Sequence, residues 1–446
     1  MRRHRFVNFR FKDAQGQIHE AIAAVGETLK QVSAMNPLVD LECACGGTLQ
    51  CTACHIEMDP KLAGSPCEEE MDLLDTVKDA LPTSRLGCQV RITPEMENAL
   101  VFSLISNRRR KVLLGMDQEQ LELMLKTYQA PAFRAKQLVD ILYSSRGDSL
   151  RSLHDLVQWP LSLRQRLEND GVVVGRNEVM RERISVDGTH KFLIEVQDKM
   201  IECVGIPSEK RLTVCVSTQV GCAMGCSFCA TGKMGLTRNL TVDQILDQVL
   251  TVQDRMKTRV SHVVFMGMGE PMGNYDATIA AVKAMNKQIG IGMRNITVST
   301  VGIPGAINKL AEENLQITLA VSLHAATQQQ REEMVPSAKE YPLHQLVDDC
   351  KNYVAKTNRR VTFEYCLLAG VNDTPEEARA LNELMRGWQC HLNIIPWNSI
   401  DDTSFKRPTK QQVDRFIEMI GQNVTVRKTR GMDANMACGQ LIVNNK

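Results

Sequence analysis

Apolar positions recur along this chain with three rhythms. Near the start, Phe6-Val-Asn-Phe-Arg-Phe alternates as a half-buried strand does, and strand-like and helical stretches follow one another up to Val101-Phe-Ser-Leu-Ile. From Leu113 to about Gly171 the period lengthens to that of an amphipathic helix, and Asp117-Gln-Glu-Gln-Leu-Glu-Leu-Met-Leu places Asp117 as an N-cap. Next, Arg183-Ile-Ser-Val and His190-Lys-Phe-Leu-Ile-Glu-Val flank Asp187-Gly188, a hairpin signal, with Met200-Ile-Glu-Cys-Val-Gly-Ile as a third strand. Beyond Arg211 the strands become continuous apolar runs: Thr213-Val-Cys-Val, Ser261-His-Val-Val-Phe-Met, Ile296-Thr-Val-Ser, Ile317-Thr-Leu-Ala-Val-Ser, Val361-Thr-Phe-Glu-Tyr and His391-Leu-Asn-Ile-Ile. Helical stretches at Val242 to Met256, Ala277 to Ile289, Leu343 to Lys356 and Thr374 to Trp388 separate them. Buried parallel strands joined by helices predict an α/β fold, a partial (βα)6 barrel with its chemistry at the carboxyl ends of the strands.

Ser106-Asn-Arg-Arg-Arg-Lys111 is basic and poor in pattern, which makes it the linker. The expected organisation is a first domain over 1–105, a basic linker over 106–111, a helical accessory segment with the hairpin region over 112–208, and a core over 209–446. A length of 446 residues, 43% hydrophobic and 24% charged, suits a globular protein of two or three domains. The basic start, Met1-Arg-Arg-His-Arg, runs directly into a strand without an apolar signal core, so a cytoplasmic protein is expected, or one inside an organelle. The net charge of +1 conceals a split: residues 1–105 carry 10 Lys and Arg against 15 Asp and Glu, net −5, and the remainder 43 against 37, net +6. An acidic front and a basic back suit an electron carrier joined to a nucleic-acid enzyme.

Fifteen cysteines without a secretory signal point to metal or catalysis rather than to structural disulfides. Cys45-Gly-Gly-Thr-Leu-Gln-Cys51-Thr-Ala-Cys54 has C-x5-C-x2-C spacing, and Cys88 in Arg85-Leu-Gly-Cys can close a four-thiolate site. Plant-type ferredoxins are one residue shorter in the first gap. The longer gap, Ser84-Arg-Leu-Gly-Cys-Gln and the acidic stretch Glu68 to Asp79 resemble the adrenodoxin subfamily of [2Fe-2S] ferredoxins, which implies a β-grasp domain with Cys45, Cys51, Cys54 and Cys88 as ligands. The alternative is structural zinc, which favours short paired C-x2-C knuckles. Cys43 and Cys67 are then spare.

Cys222-Ala-Met-Gly-Cys226-Ser-Phe-Cys229 is C-x3-C-x2-C directly after a strand. Three cysteines leave one iron of a [4Fe-4S] cluster open, and an open metal position is where a substrate can bind. That is the signature of radical S-adenosylmethionine (SAM) enzymes. Met266-Gly-Met-Gly-Glu-Pro271 follows the second strand, and Gly267 and Gly269 let backbone approach a cofactor closely.

From about Leu113 to Leu441 the chain resembles the dual-specificity adenine-C2 RNA methyltransferases (RlmN), kin of the adenine-C8 resistance methyltransferases (Cfr). The motifs that carry the resemblance are Cys215-Val-Ser-Thr-Gln-Val-Gly-Cys222, Gly267-Met-Gly-Glu-Pro271, Asn274-Tyr-Asp276, Val321-Ser-Leu-His324, Leu368-Ala-Gly-Val-Asn-Asp373, Ile395-Pro-Trp-Asn398, Arg427-Lys-Thr-Arg-Gly431 and Ala437-Cys-Gly-Gln-Leu441. Pro271 and Pro396-Trp397 resemble the C2 enzymes more than the C8 ones, whereas Asp433-Ala-Asn-Met-Ala departs from the usual approach to the cysteine. The resemblance implies two stages, because adenine C2 is an electron-poor carbon and cannot attack the SAM methyl. Cys438 first takes a methyl as a thiolate; a second SAM, cleaved by an electron from the cluster on Cys222, Cys226 and Cys229, then gives a radical that activates this methyl for addition to C2. It also implies Cys215 as the cysteine that resolves the adduct, ending as a disulfide with Cys438, and Glu202 as proton acceptor. SAM contacts are implied at Gly269, Glu270, Ser299, Ser322, Leu323, His324 and Asn398. Cys203, Cys350, Cys366 and Cys390 match no motif and read as packing residues.

The adenine has to be unstacked, so the implied partner is an RNA loop, ribosomal and also transfer RNA, with the segment from Leu113 to Gly171 binding it. Basic runs at Arg108 to Lys111, Arg359-Arg360 and Arg427 to Arg430 are candidates for phosphate contact. The other expected partner is a ferredoxin reductase or a flavodoxin-type electron donor, and the chain is expected to be a monomer. Rival readings are a C8-directed methyltransferase, an electron-transfer protein whose barrel only docks, and a radical enzyme acting on a protein or metabolite. Intact thiols at Cys215 and Cys438 beside the three-cysteine motif count against the second.

Overall fold

The computed structural model describes residues 5–12, 18–36, 39, 41, 47–49, 52, 54–77, 80–104, 111–144, 148–401, 403–421 and 423–443. Cys43, Cys45, Cys51 and linker residues 106–110 lie outside them. The chain divides into two compact units, 1–111 with 167–172, and 112–166 with 173–446. Among the described residues, no helix is long and apolar enough to cross a membrane.

In the first unit, β1 (Phe6–Lys12), β2 (Ile18–Ala24), α1 (Leu29–Met35), β3 (His55–Met58), α2 (Pro60–Ala63), α3 (Glu68–Leu74), β4 (Ser84–Leu86) and β5 (Leu100–Leu104) follow in order. The sheet runs β2-β1-β5-β3-β4, with β1 and β5 parallel and the other neighbours antiparallel. The alternation read from the sequence turns Val7, Phe9 and Phe11 inward, where the Phe11 and Phe102 rings stack at 5.3 Å between centroids. Cys54 and Cys88 are both buried, and their loops meet where Gly87 N–H donates to the Cys54 carbonyl at 2.8 Å. Arg85 and Glu70 form a buried ion pair at 2.9 Å beneath α3.

The second unit begins with helices α4 (Gln118–Thr127) and α5 (Phe133–Leu142). Asp117 caps α4 as expected, accepting Gln120 N–H at 2.9 Å. Strands β6 (Glu178–Ile184), β7 (His190–Val196) and β8 (Lys199–Ser208) form the antiparallel region, with Gly188 at φ +78° in the turn between the first two. Then come β9 (Arg211–Cys215), β10 (Gln219–Cys222), β11 (Gly235–Asn239), α6 (Val242–Met256), β12 (Val260–Phe265), α7 (Tyr275–Lys287), β13 (Ile296–Thr300), α8 (Ala306–Glu312), β14 (Thr318–Ser322), α9 (Gln328–Met334), α10 (Leu343–Thr357), β15 (Val361–Leu367), α11 (Pro375–Met385), β16 (Cys390–Pro396), α12 (Lys410–Ile420) and β17 (Val424–Val426).

One ten-stranded sheet holds this unit together, in the order β17-β16-β15-β14-β13-β12-β9-β8-β7-β6. From β9 to β17 neighbours are parallel, and β8 covers the β9 edge antiparallel, so the hairpin region extends the core sheet. All six apolar runs are parallel strands; in β15 every residue is buried, as a strand covered on both faces requires. The short β17 is a strand that the apolar pattern did not predict.

Candidate active site at the carboxyl ends of the strands

The strand ends of the second unit converge on two adjoining cavities. The smaller, about 150 Å³, is lined by Cys222, Cys226 and Cys229 together with Gly267, Gly269, Glu270, Ser299, Ser322, His324, Cys366, Asn398 and Cys438. Cys222 ends β10, and Cys226 and Cys229 follow on the loop after it. Gly221, just before Cys222, has φ +77°, and a Cβ there would lie 1.9 Å from the Gly235 carbonyl oxygen, so the turn requires glycine. Ser227 N–H and Oγ both donate to the Met334 carbonyl at the end of α9, at 3.0 and 3.3 Å, and the Trp397 indole donates to the Phe228 carbonyl at 3.1 Å.

Burial pushes the Cys222 thiol up to about 12, Cys226 well above its ordinary value and Cys229 upward, and neighbouring thiols add to each shift. Thiols so placed ionise when a metal compensates them. All three thiols line the smaller cavity, and three thiolates are the donor set that leaves one iron of a [4Fe-4S] group open.

The Gly267-Met-Gly-Glu segment is zipped to the loop after β9. Gly267 N–H donates to the Val216 carbonyl at 3.0 Å and Met268 N–H to Ser217 Oγ at 2.8 Å. A Cβ on Gly267 would meet Ser217 Oγ and Val216 O at 2.7 Å, and one on Gly269 the Gln219 Cβ at 2.5 Å. The glycines are therefore required by loop-to-loop packing as well as lining the cavity. Glu270 is buried, accepting Met272 N–H at 2.9 Å and Val301 N–H at 2.8 Å, and burial raises its carboxyl.

Ser299 and Ser322 face one another at 3.5 Å between hydroxyls. His324 holds φ +63°, which a non-glycine residue adopts only under support. Its Nδ1 accepts Cys366 N–H at 3.0 Å, Asn372 Nδ2 donates to its carbonyl at 2.8 Å, and its ring meets Phe228 edge-on at 4.6 Å. Burial, followed by the Arg331 charge, lowers the imidazole to about 3, so it is neutral. Leu323 is fully buried and its side chain lines neither cavity, unlike the other expected SAM contacts. Cys366, expected as packing, lines the smaller cavity between β15 and the cysteine loop; Cys203, Cys350 and Cys390 are buried away from both cavities.

The larger cavity, about 540 Å³, runs through the sheet interior past Thr213, Thr297, Thr318 and Thr362, with Arg211, Arg294, Lys428 and Arg430 among its lining. Cys215 ends β9 and faces this cavity; Cys438 lines both. Burial, then the neighbouring Cys438, pushes the Cys215 thiol up to about 12, against the pull of Arg427. Arg427, also on both walls, lies 3.5 Å from the Glu364 carboxylate and donates to Met266 Sδ at 2.9 Å; Cys438 first, then Glu364 and Cys215, hold its guanidinium charged. Of the basic runs, Arg427, Lys428 and Arg430 reach the site, while Arg359 Nε donates to the Ile317 carbonyl at 3.1 Å.

The Cys438 loop is anchored from every side. Asn398 Nδ2 donates to the Cys438 carbonyl at 3.1 Å, and Arg407 holds the Asn398 oxygen at 2.6 Å. Ala230 N–H donates to the Gly439 carbonyl at 2.8 Å. The Asp433 carboxylate caps the turn after β6, binding the Ser185 hydroxyl and Val186 N–H. Glu202 accepts Ile442 N–H at 3.1 Å and pairs with Lys191 at 2.9 Å; it lines neither cavity. Cys366 lines the smaller cavity, and Lys191, Arg331 and Arg407 hold the surrounding loops from behind without lining either cavity; the sequence motifs singled out none of the four.

Parallel strands ending in a three-cysteine loop, a glycine-containing second loop and a serine pair define a radical SAM enzyme, and the Radical SAM superfamily matches residues 216–381. The chain is 48% identical over 337 residues to the probable dual-specificity RNA methyltransferase RlmN of Picosynechococcus sp., covering 75% of this chain and 96% of that one. It is 50% identical over 334 residues to the protein of that name from Thermosynechococcus vestitus, covering 74% and 98%. A crystal structure of a radical SAM methyltransferase from Sphaerobacter thermophilus is similar at TM-score 0.71 and 40% identity, covering 74% of this chain and 98% of that one. The chain belongs to the RlmN family of radical SAM methyltransferases.

Proposed function

We propose that this chain methylates C2 of adenine in large-subunit ribosomal RNA, and in transfer RNA, through a methyl carried on Cys438, with residues 1–105 as a [2Fe-2S] ferredoxin that supplies electrons. One observation carries the reading: Cys438 lines both the cavity of the three-cysteine loop and the larger cavity that holds Cys215. A thiol at that junction can take a methyl on one side and present it to a base on the other.

Cys222, Cys226 and Cys229 would hold a [4Fe-4S] cluster, which would supply the one electron that splits the sulfur–C5′ bond of SAM into methionine and a 5′-deoxyadenosyl radical. Gly269, Glu270, Ser299, Ser322, His324 and Asn398 surround the space SAM would fill. Arg427 sets a fixed cation beside Cys438 and Cys215, on the wall that both cavities share. Cys215 retains its proton at neutral pH and releases it when it resolves the sulfur-bound adduct. Glu202 stands one ion pair behind the Cys438 loop and lines neither cavity, so accepting the C2 proton requires its carboxylate to move toward the site. Lys428 and Arg430, which follow β17 at the carboxyl ends of the strands, supply cations where an RNA loop would enter the larger cavity. Pro271 and Pro396-Trp397 favour C2 over C8 by resemblance.

The ferredoxin assignment is supported by buried Cys54 and Cys88 on adjoining loops, and by the contact of Gly47, within the Cys45–Cys51 segment, with Cys88: Gln89 Nε2 bridges the Gly47 carbonyl at 3.1 Å and Cys88 Sγ at 3.3 Å. A ferredoxin reductase or flavodoxin-type donor is the expected electron source.

The test is cross-link trapping. Cys215→Ala purified with RNA is expected to carry a covalent protein–RNA adduct, and Cys438→Ala none. A Cys215→Ala protein free of RNA that still turns over contradicts the two-cysteine scheme.

A further inference from the structure

Arg331, on α9, is 1% exposed, the largest fully buried side chain in the described structure. A guanidinium in such a place is costly unless an anion answers it. Its Nη2 donates to the Val301 carbonyl and, at 3.3 Å, to the Ser322 carbonyl, both at the carboxyl ends of strands; its Nε has no partner.

Among the described residues no carboxylate pairs with it. Glu270 shares Val301 with it, but engages the Val301 and Met272 amides. Glu377 accepts from Ala326 N–H and the Tyr365 hydroxyl, both at 2.9 Å. His324 is neutral. The groups that act on Arg331 are Cys226 first, then Cys350 and Tyr341, none of them a carboxylate. The polypeptide therefore brings a buried cation to the cysteine loop without a formal counter-charge. Moreover, α9 is fastened to that loop through the Met334 carbonyl, which accepts both the amide and hydroxyl of Ser227, next to Cys226.

An oxidised [4Fe-4S] centre on three thiolates is a net anion, and one added electron makes it more negative. We propose that Arg331 is the internal counter-cation of this centre: it stabilises the reduced state more than the oxidised one and so raises the potential into the range of the electron donor. The inference rests on the assignment of Cys222, Cys226 and Cys229 as cluster ligands. A neutral strut between α9 and the two carbonyls is the competing role, and charge separates the two.

The experiment uses the full-length protein, anaerobically reconstituted, as wild type, Arg331→Gln and Arg331→Lys. Folding is checked by circular dichroism before reconstitution, iron and sulfide are counted after it, and the midpoint is read by potentiometric EPR on the signal that shifts when SAM is added, which separates this centre from the other. The expected result is a tenfold lower ratio of reduced to oxidised centre at fixed potential in Arg331→Gln, equivalent to about 59 mV, with Arg331→Lys close to wild type. A folded glutamine variant that fails to take up iron while the lysine variant does supports the same charge requirement at assembly. A glutamine variant with full iron and an unchanged midpoint overturns the proposal, as does a lysine variant that fails in step with it, or a glutamine variant unfolded before reconstitution. Absence of any SAM-responsive signal in wild type would instead refute the cluster assignment.

Discussion

Lys191 Nζ lies 2.9 Å from Glu202 Oε1, and the other Glu202 oxygen holds the Ile442 amide at 3.1 Å. Burial pushes the Glu202 carboxyl up and Lys191 pulls it back, so the pair is a buried charge couple under the Cys438 loop. Removing one partner of such a couple leaves the other unpaired, at a cost of about 3 kcal/mol. Lys191→Met is expected to lower unfolding stability by about that amount and to speed alkylation of Cys438, while Lys191→Met with Glu202→Leu recovers part of the stability. Denaturant unfolding decides it, and a single variant as stable as wild type removes the clamp.

His324 gives a pH signature. The unfolded chain takes up a proton near pH 6.5 that the folded chain refuses until about pH 3. Stability from the neutral ring is therefore present above pH 6.5 and lost as the pH falls toward 3. On the order of 3 kcal/mol should disappear between pH 6.5 and pH 4. His324→Gln should flatten that segment of the profile, measured by urea unfolding of the apoprotein; an unchanged slope places the titration elsewhere.

Cys226→Ala should reduce SAM cleavage to background, because the remaining two thiolates cannot hold an open-site cluster. Liquid chromatography of 5′-deoxyadenosine reads the outcome, and normal production excludes the radical assignment.

Cys88→Ala tests the N-terminal unit. The variant should lose the [2Fe-2S] absorption and slow turnover with a reductase, while dithionite, which reduces the core centre directly, restores it. A covalently joined donor raises local concentration to about millimolar without changing the equilibrium, so the loss is kinetic. Full activity with the reductase would make the unit an appendage.

Most of the core fold was legible because parallel strands buried on both faces leave uninterrupted apolar runs, and the helix from Val242 to Met256 has those same bounds in the structure. Val424–Val426 escaped because three residues with a central threonine, none of them buried, carry no such run. Short motifs gave the cysteine loop and Cys438. What they could not give was pairing across distance: Glu202 meets Ile442 240 positions away, and Lys191 meets the Asn435 carbonyl 244 away. Arg331 was hidden for another reason. Gln328-Gln-Gln-Arg-Glu-Glu reads as a solvated helix, and nothing local signals that the arginine alone turns inward. Cys366 likewise read as packing, since a lone cysteine on an apolar strand usually is.

Methylation of adenine C2 at this centre has a direct readout. Full-length protein reconstituted with iron and sulfide, given SAM, a reductant and transcribed large-subunit RNA, should yield 2-methyladenosine on nuclease digestion and mass spectrometry, dependent on Cys438. Methylation at C8, or none with SAM cleavage intact, would contradict it.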